Sequence, residues 1–313
     1  MRISALLLAA AMGLALAGPA SAQKKLVVGF SQIGSESGWR AAETKVSKIE
    51  AEKRGIDLRI SDAQQKQENQ IKAIRSFIAQ GVDAIFLAPV VATGWDSVLK
   101  EAKDAKIPVV LLDRTVDTKD DTLYLTAVTS DTVHEGRVAG EWLVKQTGGK
   151  CNVVELQGTV GSSPAINRKK GFDEAIAKAP DVKIVRTQSG DFTRAKGKEV
   201  MEAFLKAEGK KINVLYAHND DMAIGAIQAI EEAGLKPAKD IVIISIDAVK
   251  GAFEAMMQGK LNVSVECSPL LGPQLMQAVK DVVAGKPVPK RIVTEEGIFP
   301  MEVAAKEFPK RKY

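Results

Sequence analysis

The sequence predicts an α/β protein with two doubly wound parallel sheets. Short apolar runs rich in β-branched residues alternate with charged stretches whose apolar residues recur at helical spacing. The alternation begins near residue 25 and restarts near residue 151. Alternating strands and helices are typical of parallel sheets flanked by helices, and two sets of units predict two lobes. A single (β/α)₈ barrel is the structural alternative.

The apolar runs and the helical spacing place the elements in order. A run that is apolar on both faces and ends at Gly, Pro or polar residues predicts a buried strand, as at 82–88, which Pro89 ends. Strands are predicted at 25–30, 58–60, 82–88, 107–112, 123–128, 151–156, 182–185, 214–217, 241–246 and 261–265. Helices are predicted at 41–54, 67–80, from Pro89 to about 105, 131–146, 163–179, 193–207 and 222–233.

The composition of the 313 residues is that of an ordinary globular protein, with 45% hydrophobic and 27% charged residues. It excludes a disordered chain, a collagen-like chain and a polytopic membrane protein. The net charge of +5 is spread along the chain, which favours a solvated surface over a nucleic-acid partner. With two Cys and two His, a structural zinc site is not expected, and no motif indicates a metal or cofactor.

Residues 1–22 have the pattern of a secretory signal peptide. Arg2 precedes an apolar run over 5–16, and Ala20-Ser21-Ala22 offers small residues for cleavage before Gln23. The run is too short to span a bilayer. A retained N-terminal anchor is the alternative, and no Cys follows to mark a lipoprotein. Export would deliver the chain to an oxidising compartment.

The two cysteines are predicted to be free thiols. Cys151 begins a predicted strand, whereas Cys267 follows the end of one. The ends of a six-residue strand lie about 20 Å apart, but a disulfide joins Cα atoms only about 6 Å apart.

Residues that directly follow the predicted strands carry the chemistry of a sugar pocket. Parallel doubly wound sheets bind ligands at the carboxyl ends of their strands. These positions are rich in Asp, Asn and Arg, with aromatic rings at Trp39 and Phe192. Charged and amide groups satisfy hydroxyls, and flat rings cover the apolar faces of a sugar.

Several motifs stand in a fixed order along the chain. They are Gly-Phe-Ser…Trp-Arg, Gly-Val-Asp-Ala-Ile-Phe-Leu-Ala-Pro, Pro-Val-Val-Leu-Leu-Asp-Arg, Asn-Arg-Lys-Lys-Gly-Phe, Asp-Phe-Thr-Arg-Ala-Lys-Gly and Ala-His-Asn-Asp-Asp-Met-Ala-Ile-Gly-Ala. In this order they resemble the pentose- and hexose-binding periplasmic proteins, the ribose/galactose-type solute receptors of ABC importers. The resemblance covers essentially all of 24–300.

The resemblance implies the type I periplasmic binding protein fold, in which two lobes joined by a three-strand hinge close over a sugar. Transferred to this sequence, the N-terminal lobe comprises 23–128 plus 267–297, and the C-terminal lobe 129–266 plus 298–313. Crossovers between the lobes are expected near Ala127–Thr129, Asp247–Val249 and Glu266–Ser268.

Three stretches are similar to the furanose-binding branch of this family. They are Gly-Ser-Glu-Ser-Gly-Trp-Arg-Ala-Ala-Glu at 34–43, Gln-Gln-Lys-Gln-Glu-Asn-Gln at 64–70 and Pro-Val-Val-Ala-Thr-Gly-Trp at 89–95. They imply a furanose ligand, with galactofuranose as the first choice and arabinofuranose or another pentose or hexose next.

Five polar residues match ligand-binding positions of the family, and each has a structural alternative. Asp113 and Arg114 would bind sugar oxygens, or form a surface ion pair. Arg168 would bind the sugar, or be a solvated helix charge. Asn219 could read a hydroxyl pair, or cap a helix; because Asp220 is expected to be the cap, Asn219 is assigned to the ligand. Asp247 would bind the sugar, or be a turn residue.

Four further positions depart from the family pattern or cover the sugar. Trp39 stands where the family has a stacking Phe, whereas Arg40 replaces a second aromatic residue and Ser37 a common Asn. These departures imply a more polar subsite than a plain pyranose needs. Phe192 would cover another face of the sugar, or pack between the lobes.

Three weaker candidates and one strand-end carboxylate complete the set. Glu266 stands where the ribose-binding branch has a Gln, so it would accept a further hydroxyl, or be an exposed strand-end residue. Glu36, Gln32 and Gln157 are the weaker candidates.

The implied function is a monomeric periplasmic receptor that hands a monosaccharide to a membrane permease driven by a separate ATPase. No Walker motif and no Gly-x-Ser-x-Gly turn is present in the sequence, so His218 is expected to be structural. A sensing module for chemotaxis or signalling is the alternative. A repressor would need an N-terminal helix-turn-helix, and an exported enzyme could use Asp113, Asp247 and Glu266 as paired carboxylates.

Overall fold

The computed structural model describes residues 25–313, so the predicted signal peptide at 1–22 lies outside the described residues. The chain alternates strands and helices throughout. Its first part contains β1 (Val27–Gln32), α1 (Gly38–Lys53), β2 (Asp57–Asp62), α2 (Gln67–Ala79), β3 (Ala84–Leu87), α3 (Asp96–Asp104), β4 (Val109–Leu112), β5 (Thr126–Thr129) and α4 (Thr132–Thr147). Its second part contains β6 (Lys150–Gln157), α5 (Ser163–Ile176), β7 (Asp181–Ser189), α6 (Arg194–Glu208), β8 (Val214–Ala217), α7 (Asp220–Glu232), β9 (Val242–Asp247), α8 (Lys250–Met257), β10 (Val263–Glu266), α9 (Gly272–Val283), β11 (Arg291–Val293), β12 (Ile298–Pro300) and α10 (Ala304–Glu307).

The strands form two six-stranded sheets. Their orders are β11-β5-β4-β3-β1-β2 and β12-β10-β9-β8-β6-β7. Every pairing is parallel except that of β10 with β12. The prediction of an α/β fold with two doubly wound parallel sheets is therefore confirmed. We call the first sheet with α1–α3 and α9 the first lobe, and the second sheet with α4–α8 and α10 the second lobe.

The central strands are buried on both faces, as their uninterrupted apolar sequences predict. All four residues of β3, β4 and β8 are buried, since helices cover both faces of a doubly wound sheet. This burial anchors the strands whose carboxyl ends support the site.

Glycines let α4 and α5 pack backbone against backbone. A Cβ on Gly136 would lie 2.0 Å from the carbonyl oxygen of Arg168, and one on Gly171 would lie 1.9 Å from that of Val133. Any side chain at either position would force the helices apart. The close packing fixes the position of Arg168, which matters for the site described below.

Three connections join the lobes, and one of them differs from the prediction. They run through 130–131, 267–271 and 294–297. The predicted crossover at Asp247–Val249 is wrong, because that segment joins β9 to α8 within the second lobe. The third connection instead joins β11 to β12, two three-residue strands too short to give a sequence signal.

Several element bounds also differ from the sequence predictions. The first helix begins at Gly38, so Trp39 and Arg40 lie in its first turn and not in a loop. The strand predicted from Leu123 begins only at Thr126, after a short 3₁₀ helix at Asp121–Leu123. In residues 25–313, no helix is both long and apolar enough to cross a membrane.

We predict that both cysteines label without prior reduction. Cys151 and Cys267 are free and buried, which confirms the sequence prediction, and burial raises the pKa of the Cys267 thiol well above its usual range. Denatured, unreduced protein should gain two alkyl groups by mass spectrometry, and native protein should react slowly. Labelling that appears only after reduction would contradict this arrangement.

Candidate functional site

A small cavity lies between the lobes, at the carboxyl ends of the strands. Including its mouth, it encloses about 300 Å³ of space between the surrounding atoms. Ten of the residues singled out from the sequence line it: Glu36, Ser37, Trp39, Arg40, Asp113, Arg114, Arg168, Phe192, Asn219 and Asp247. Sequence reasoning missed Pro164 and the ligand-facing position of Cys267, whose apolar or weakly polar side chains gave no signal.

Arg40 is fully engaged by three carboxylates. Its Nε donates to Glu36 Oε1 at 3.0 Å, and its two terminal nitrogens donate to Glu43 Oε2 and Asp113 Oδ2, each at 2.6 Å. Burial alone would lower its pKa, but the carboxylates outweigh burial and hold the pKa of Arg40 well above its usual range. Ser37 caps the same helix by accepting from the Arg40 backbone N–H at 3.1 Å. Arg40 therefore organises the first-lobe wall of the cavity.

Arg114 is buried but only partly engaged. One terminal nitrogen donates to the Val90 carbonyl at 2.7 Å, and its Nε lies 3.6 Å from Asp113 Oδ2 without forming a hydrogen bond. Burial and the positive charge of Arg40 lower its pKa to about 10, so the group stays charged at neutral pH. Arg114 thus retains donor capacity in a dry environment.

Arg168 belongs to the second-lobe wall. Its Nε donates to Glu135 Oε2 at 2.7 Å and a terminal nitrogen donates to the His218 carbonyl at 2.6 Å. Asp247 Oδ1 lies 3.7 Å from its other terminal nitrogen. Burial raises the pKa of Asp247 well above its usual range despite this pair.

Two aromatic rings flank the cavity from different elements. Trp39 is buried, with its Nε1 donating to the Cys267 carbonyl at 2.7 Å, and the Arg40 guanidinium lies 4.8 Å from its ring centre. The Phe192 ring lies 5.2 Å from the Arg114 guanidinium and 5.9 Å from that of Arg168. Such contacts are favourable cation–π geometry, so Phe192 links guanidinium groups of both lobes.

A glycine under Phe192 leaves room for its ring. A Cβ on Gly158 would lie 1.9 Å from Phe192 Cζ and 2.3 Å from both Cε atoms. Because the ring is rigid and 4% exposed, any side chain at Gly158 would displace it.

Three lining residues adopt left-handed backbone conformations. The φ angles are 60° at Asp113, 60° at Phe192 and 130° at Asp247. Such conformations are unfavourable for residues other than Gly and cluster at binding sites. Asp113 directly follows β4, Phe192 lies in the loop after β7, and Asp247 is the last residue of β9, so all three lie at or near the carboxyl ends of strands and line the cavity.

Asn219 lines the cavity and also caps α7, contrary to the assignment of Asp220 as the cap. Its Oδ1 accepts from the Met222 backbone N–H at 3.0 Å, and its Nδ2 donates to the Phe192 carbonyl at 3.1 Å. Asp220 is instead buried, with Oδ2 accepting from the Val249 backbone N–H at 2.9 Å and Oδ1 accepting from the Ser264 hydroxyl at 2.8 Å. Asn219 therefore positions Phe192 as well as facing the cavity.

Glu266 does not line the cavity, which corrects the expectation for it. Its carboxylate accepts from Arg311 at 2.6 Å, from the Gly297 backbone N–H at 3.2 Å and from the Tyr313 hydroxyl at 3.3 Å. The C-terminal segment thus occupies the carboxylate that the sequence pattern assigned to a ligand.

Two of the three weaker candidates, Gln32 and Gln157, do not line the cavity, and neither does His218. Gln32 donates to Glu43 at 2.9 Å and Gln157 to Glu155 at 3.0 Å. His218 is buried, and its Nε2 lies 3.0 Å from Glu155 Oε1. Burial lowers the pKa of His218, so the ring is neutral and supports the wall.

Two buried atoms on residues that line the cavity, one donor and one acceptor, form no hydrogen bond within the protein. The Arg114 Nε and the Glu36 Oε2 are both buried and form no hydrogen bond. Leaving buried polar atoms unpaired is costly. A small molecule that both donates and accepts hydrogen bonds, as a hydroxyl does, would satisfy the two atoms.

Three hydrogen bonds join the two lobes. The Gly38 N–H donates to Asp221 Oδ2 at 2.9 Å, and the Thr115 N–H donates to Ser163 Oγ at 2.9 Å. A third joins the Ala92 N–H to the Gly161 carbonyl at 2.8 Å. The two lobes are therefore in direct contact.

In the described part of the chain, one group of side chains carries metal-ligand atoms close together. Atoms of Glu135, Cys267 and Glu296 lie within 4.8 Å of one another. Glu135 is already paired with Arg168, and Glu296 Oε1 accepts three hydrogen bonds. Arg168 neutralises the charge of Glu135, and burial raises the pKa values of the Cys267 and Glu296 side chains. Both effects favour bound protons over a cation at this position.

Comparisons with known proteins agree with this geometry. The galactofuranose-binding protein YtfQ of Escherichia coli (strain K12) is 61% identical over 308 residues, covering 97% of this chain and 95% of that protein. The crystal structure of a galactofuranose binding protein superposes with a TM-score of 0.90 and 64% identity, covering 92% of this chain and 98% of the other. The periplasmic binding protein component of the arabinose ABC transporter from Shewanella sp. ANA-3, bound to α- and β-L-arabinofuranose, superposes with a TM-score of 0.89 and 56% identity over 91% of this chain and 95% of that one.

The superpositions confirm the predicted type I fold. The family model of the periplasmic binding protein domain matches residues 28–287. With this match along most of its length, the chain belongs to the periplasmic binding protein domain family.

Proposed function

We propose that the chain is the solute receptor of an ABC sugar importer and that it binds a monosaccharide between its lobes. The observation that carries the proposal is a pair of buried atoms without a hydrogen bond, Arg114 Nε and Glu36 Oε2, on residues that line the cavity between the lobes. Sugar hydroxyls both donate and accept, and the rings of Trp39 and Phe192 suit the apolar faces of a sugar.

The proposed ligand is a furanose, with galactofuranose first and arabinofuranose second. Relatives described as binding galactofuranose or arabinofuranose are 56–64% identical to this chain. The polar wall made by Arg40, Glu36 and Asp113 suits a ring with an exocyclic chain of hydroxyls. The proposed ligand-contacting set is the ten lining residues predicted from the sequence, without Glu266.

The proposal includes a mode of action. The two lobes would open and close about the three connections, and the closed form would dock on a membrane permease with a separate ATPase. Residues 1–22 would direct a monomer to the periplasm. A role in catalysis is not favoured, because Glu266 is bound to Arg311 and Asp113 is bound to Arg40, which leaves no pair of free carboxylates.

Calorimetry of ligand-stripped protein tests the proposed function. The panel is galactose, arabinose, ribose, glucose, xylose and fructose, with furanose-enriched preparations. Furanose forms are minor in solution. We therefore expect each molecule of added galactose or arabinose to fill, in apparent stoichiometry, well under one binding site. Full stoichiometry with ribose or glucose would contradict the proposal that the ligand is a furanose. Absence of binding to every sugar of the panel would contradict the proposal that the ligand is a monosaccharide.

Arg114→Lys should weaken sugar binding by about ten- to a hundredfold. The substitution keeps the charge but removes the planar donor group, and a hydrogen bond to a charged group contributes roughly 1.5–3 kcal/mol. Arg75→Lys is the matched control, since Arg75 is exposed and pairs with Glu101 on the surface. Equal affinities of the two variants would show that Arg114 does not contact the ligand.

Gly158→Ala should lower sugar affinity at least tenfold, a loss of about 1.4 kcal/mol, by displacing the Phe192 ring. Gly251→Ala is the control, because a Cβ there meets only the flexible Ile224 Cδ1, at 3.1 Å. Thermal unfolding of both variants checks that each folds. A folded Gly158→Ala protein with wild-type affinity would exclude Phe192 from the ligand site.

A further inference from the structure

A single carboxylate oxygen holds all three connections between the lobes. Glu296 Oε1 accepts from Ser130 Oγ at 2.5 Å, from the Ser268 backbone N–H at 2.8 Å and from Thr294 Oγ1 at 2.8 Å. Ser130 lies in the connection at 130–131, Ser268 in that at 267–271, and Thr294 and Glu296 in that at 294–297. No connection can move relative to the others without stretching one of these bonds.

Acidic groups surround Glu296 from the neighbouring elements. A carboxylate oxygen of Glu135, from α4, lies within 4.8 Å of both Glu296 and Cys267 Sγ. The Glu135 Oε1 is buried without a hydrogen-bond partner, while its Oε2 accepts from Arg168. Two negative charges at this distance in a dry hinge would repel, and the Arg168 cation can neutralise only one of them.

Other charged groups at the hinge are already paired. Asp247, at the end of β9, faces Arg168. Arg291, on β11, donates to the Ser130 carbonyl at 3.1 Å. The Cys267 thiol lies 3.4 Å from Ser130 Oγ. Among the described residues, Glu296 is thus the partly buried hinge carboxyl without a cationic partner.

We propose that Glu296 is the pin of the hinge, a positioning residue whose carboxyl group joins the three connections in the closed form and carries a proton that it loses on opening. This inference rests on the proposed closure of the lobes around a sugar.

The electrostatics of the closed form support a bound proton. Burial, with a contribution from Glu135, raises the pKa of Glu296 from 4.5 to about 8. Because the pKa of Glu296 is higher in the closed form than in the open form, protonation of Glu296 stabilises the closed form. This stabilisation is complete below the pKa of the open form, and it is lost as the pH rises through about 8. Sugar binding, which requires closure, would therefore take up a proton near neutral pH.

Glu296→Gln tests the pin, because an amide imitates the protonated carboxyl. D-Galactose and L-arabinose are titrated calorimetrically between pH 6 and 9 in buffers of different ionisation enthalpy. Wild-type affinity should fall as the pH rises from 6 to 8 and then level off, with proton uptake on binding at pH 7. Glu296→Gln should take up fewer protons and bind more tightly than wild type at pH 9.

A neighbouring carboxylate and a truncation separate the pin from a merely structural role. Glu295→Gln is the matched control, since Glu295 is adjacent and exposed, and it should keep the wild-type proton uptake. Glu296→Ala removes all three hydrogen bonds and should weaken binding at every pH. Equal proton uptake by wild type and Glu296→Gln would overturn the proposal.

If neither sugar binds, that result counts against the proposed function alone, and a cross-linked form of the protein still tests the hinge. Thr115→Cys with Ser163→Cys places two thiols where the lobes already touch and would lock them closed. In ¹³C NMR spectra, the carboxyl signal of Glu296 is assigned by its loss in Glu296→Gln. This signal should titrate at higher pH in the cross-linked protein than in the reduced protein. Identical midpoints would overturn the proposal.

Discussion

The cavity depends on the pairing of three buried guanidinium groups with carboxylates. An uncompensated charge in such a place costs several kcal/mol, so Arg40, Arg114 and Arg168 each need acidic partners. Arg40 draws Glu36, Glu43 and Asp113 together, and Arg168 binds Glu135. Arg114 shares Asp113 with Arg40 and is left with a spare donor. In the proposed function, a sugar oxygen would complete this one pairing.

The backbone around these charges is held in shapes that the packing enforces. Asp113, Phe192 and Asp247 have positive φ angles, which cost of order 1–3 kcal/mol each in isolation. The surrounding structure compensates by close packing: Gly158 accepts the Phe192 ring, and Gly136 and Gly171 bring α4 against α5 beneath Arg168. The site is therefore rigid within each lobe, and its adaptability lies in the connections between the lobes.

The sequence predicts the fold and most of the cavity because both follow from local patterns. Buried strands appear in the sequence as apolar runs. Residues at the carboxyl ends of parallel strands meet at one edge of the sheet, and this rule predicts Asp113, Asn219 and Asp247 as site residues. What failed depended on distant contacts. Glu266 is taken by Arg311, forty-five positions away, and Asp220 is drawn from the cap of α7 by Ser245 and Ser264 on other strands. The lobe bounds implied by the resemblance place a change of lobe at 297/298, but β11 and β12 give no local sequence signal, because they exist only through pairing with strands far away in sequence.

A crystal structure of the protein with a bound furanose, grown from galactose or arabinose, tests the central claim most directly. The account predicts a sugar oxygen within hydrogen-bond distance of Arg114 Nε and another within that distance of Glu36 Oε2, with the ring between Trp39 and Phe192. A sugar bound outside the cavity, or one that leaves both atoms without a partner, would contradict it.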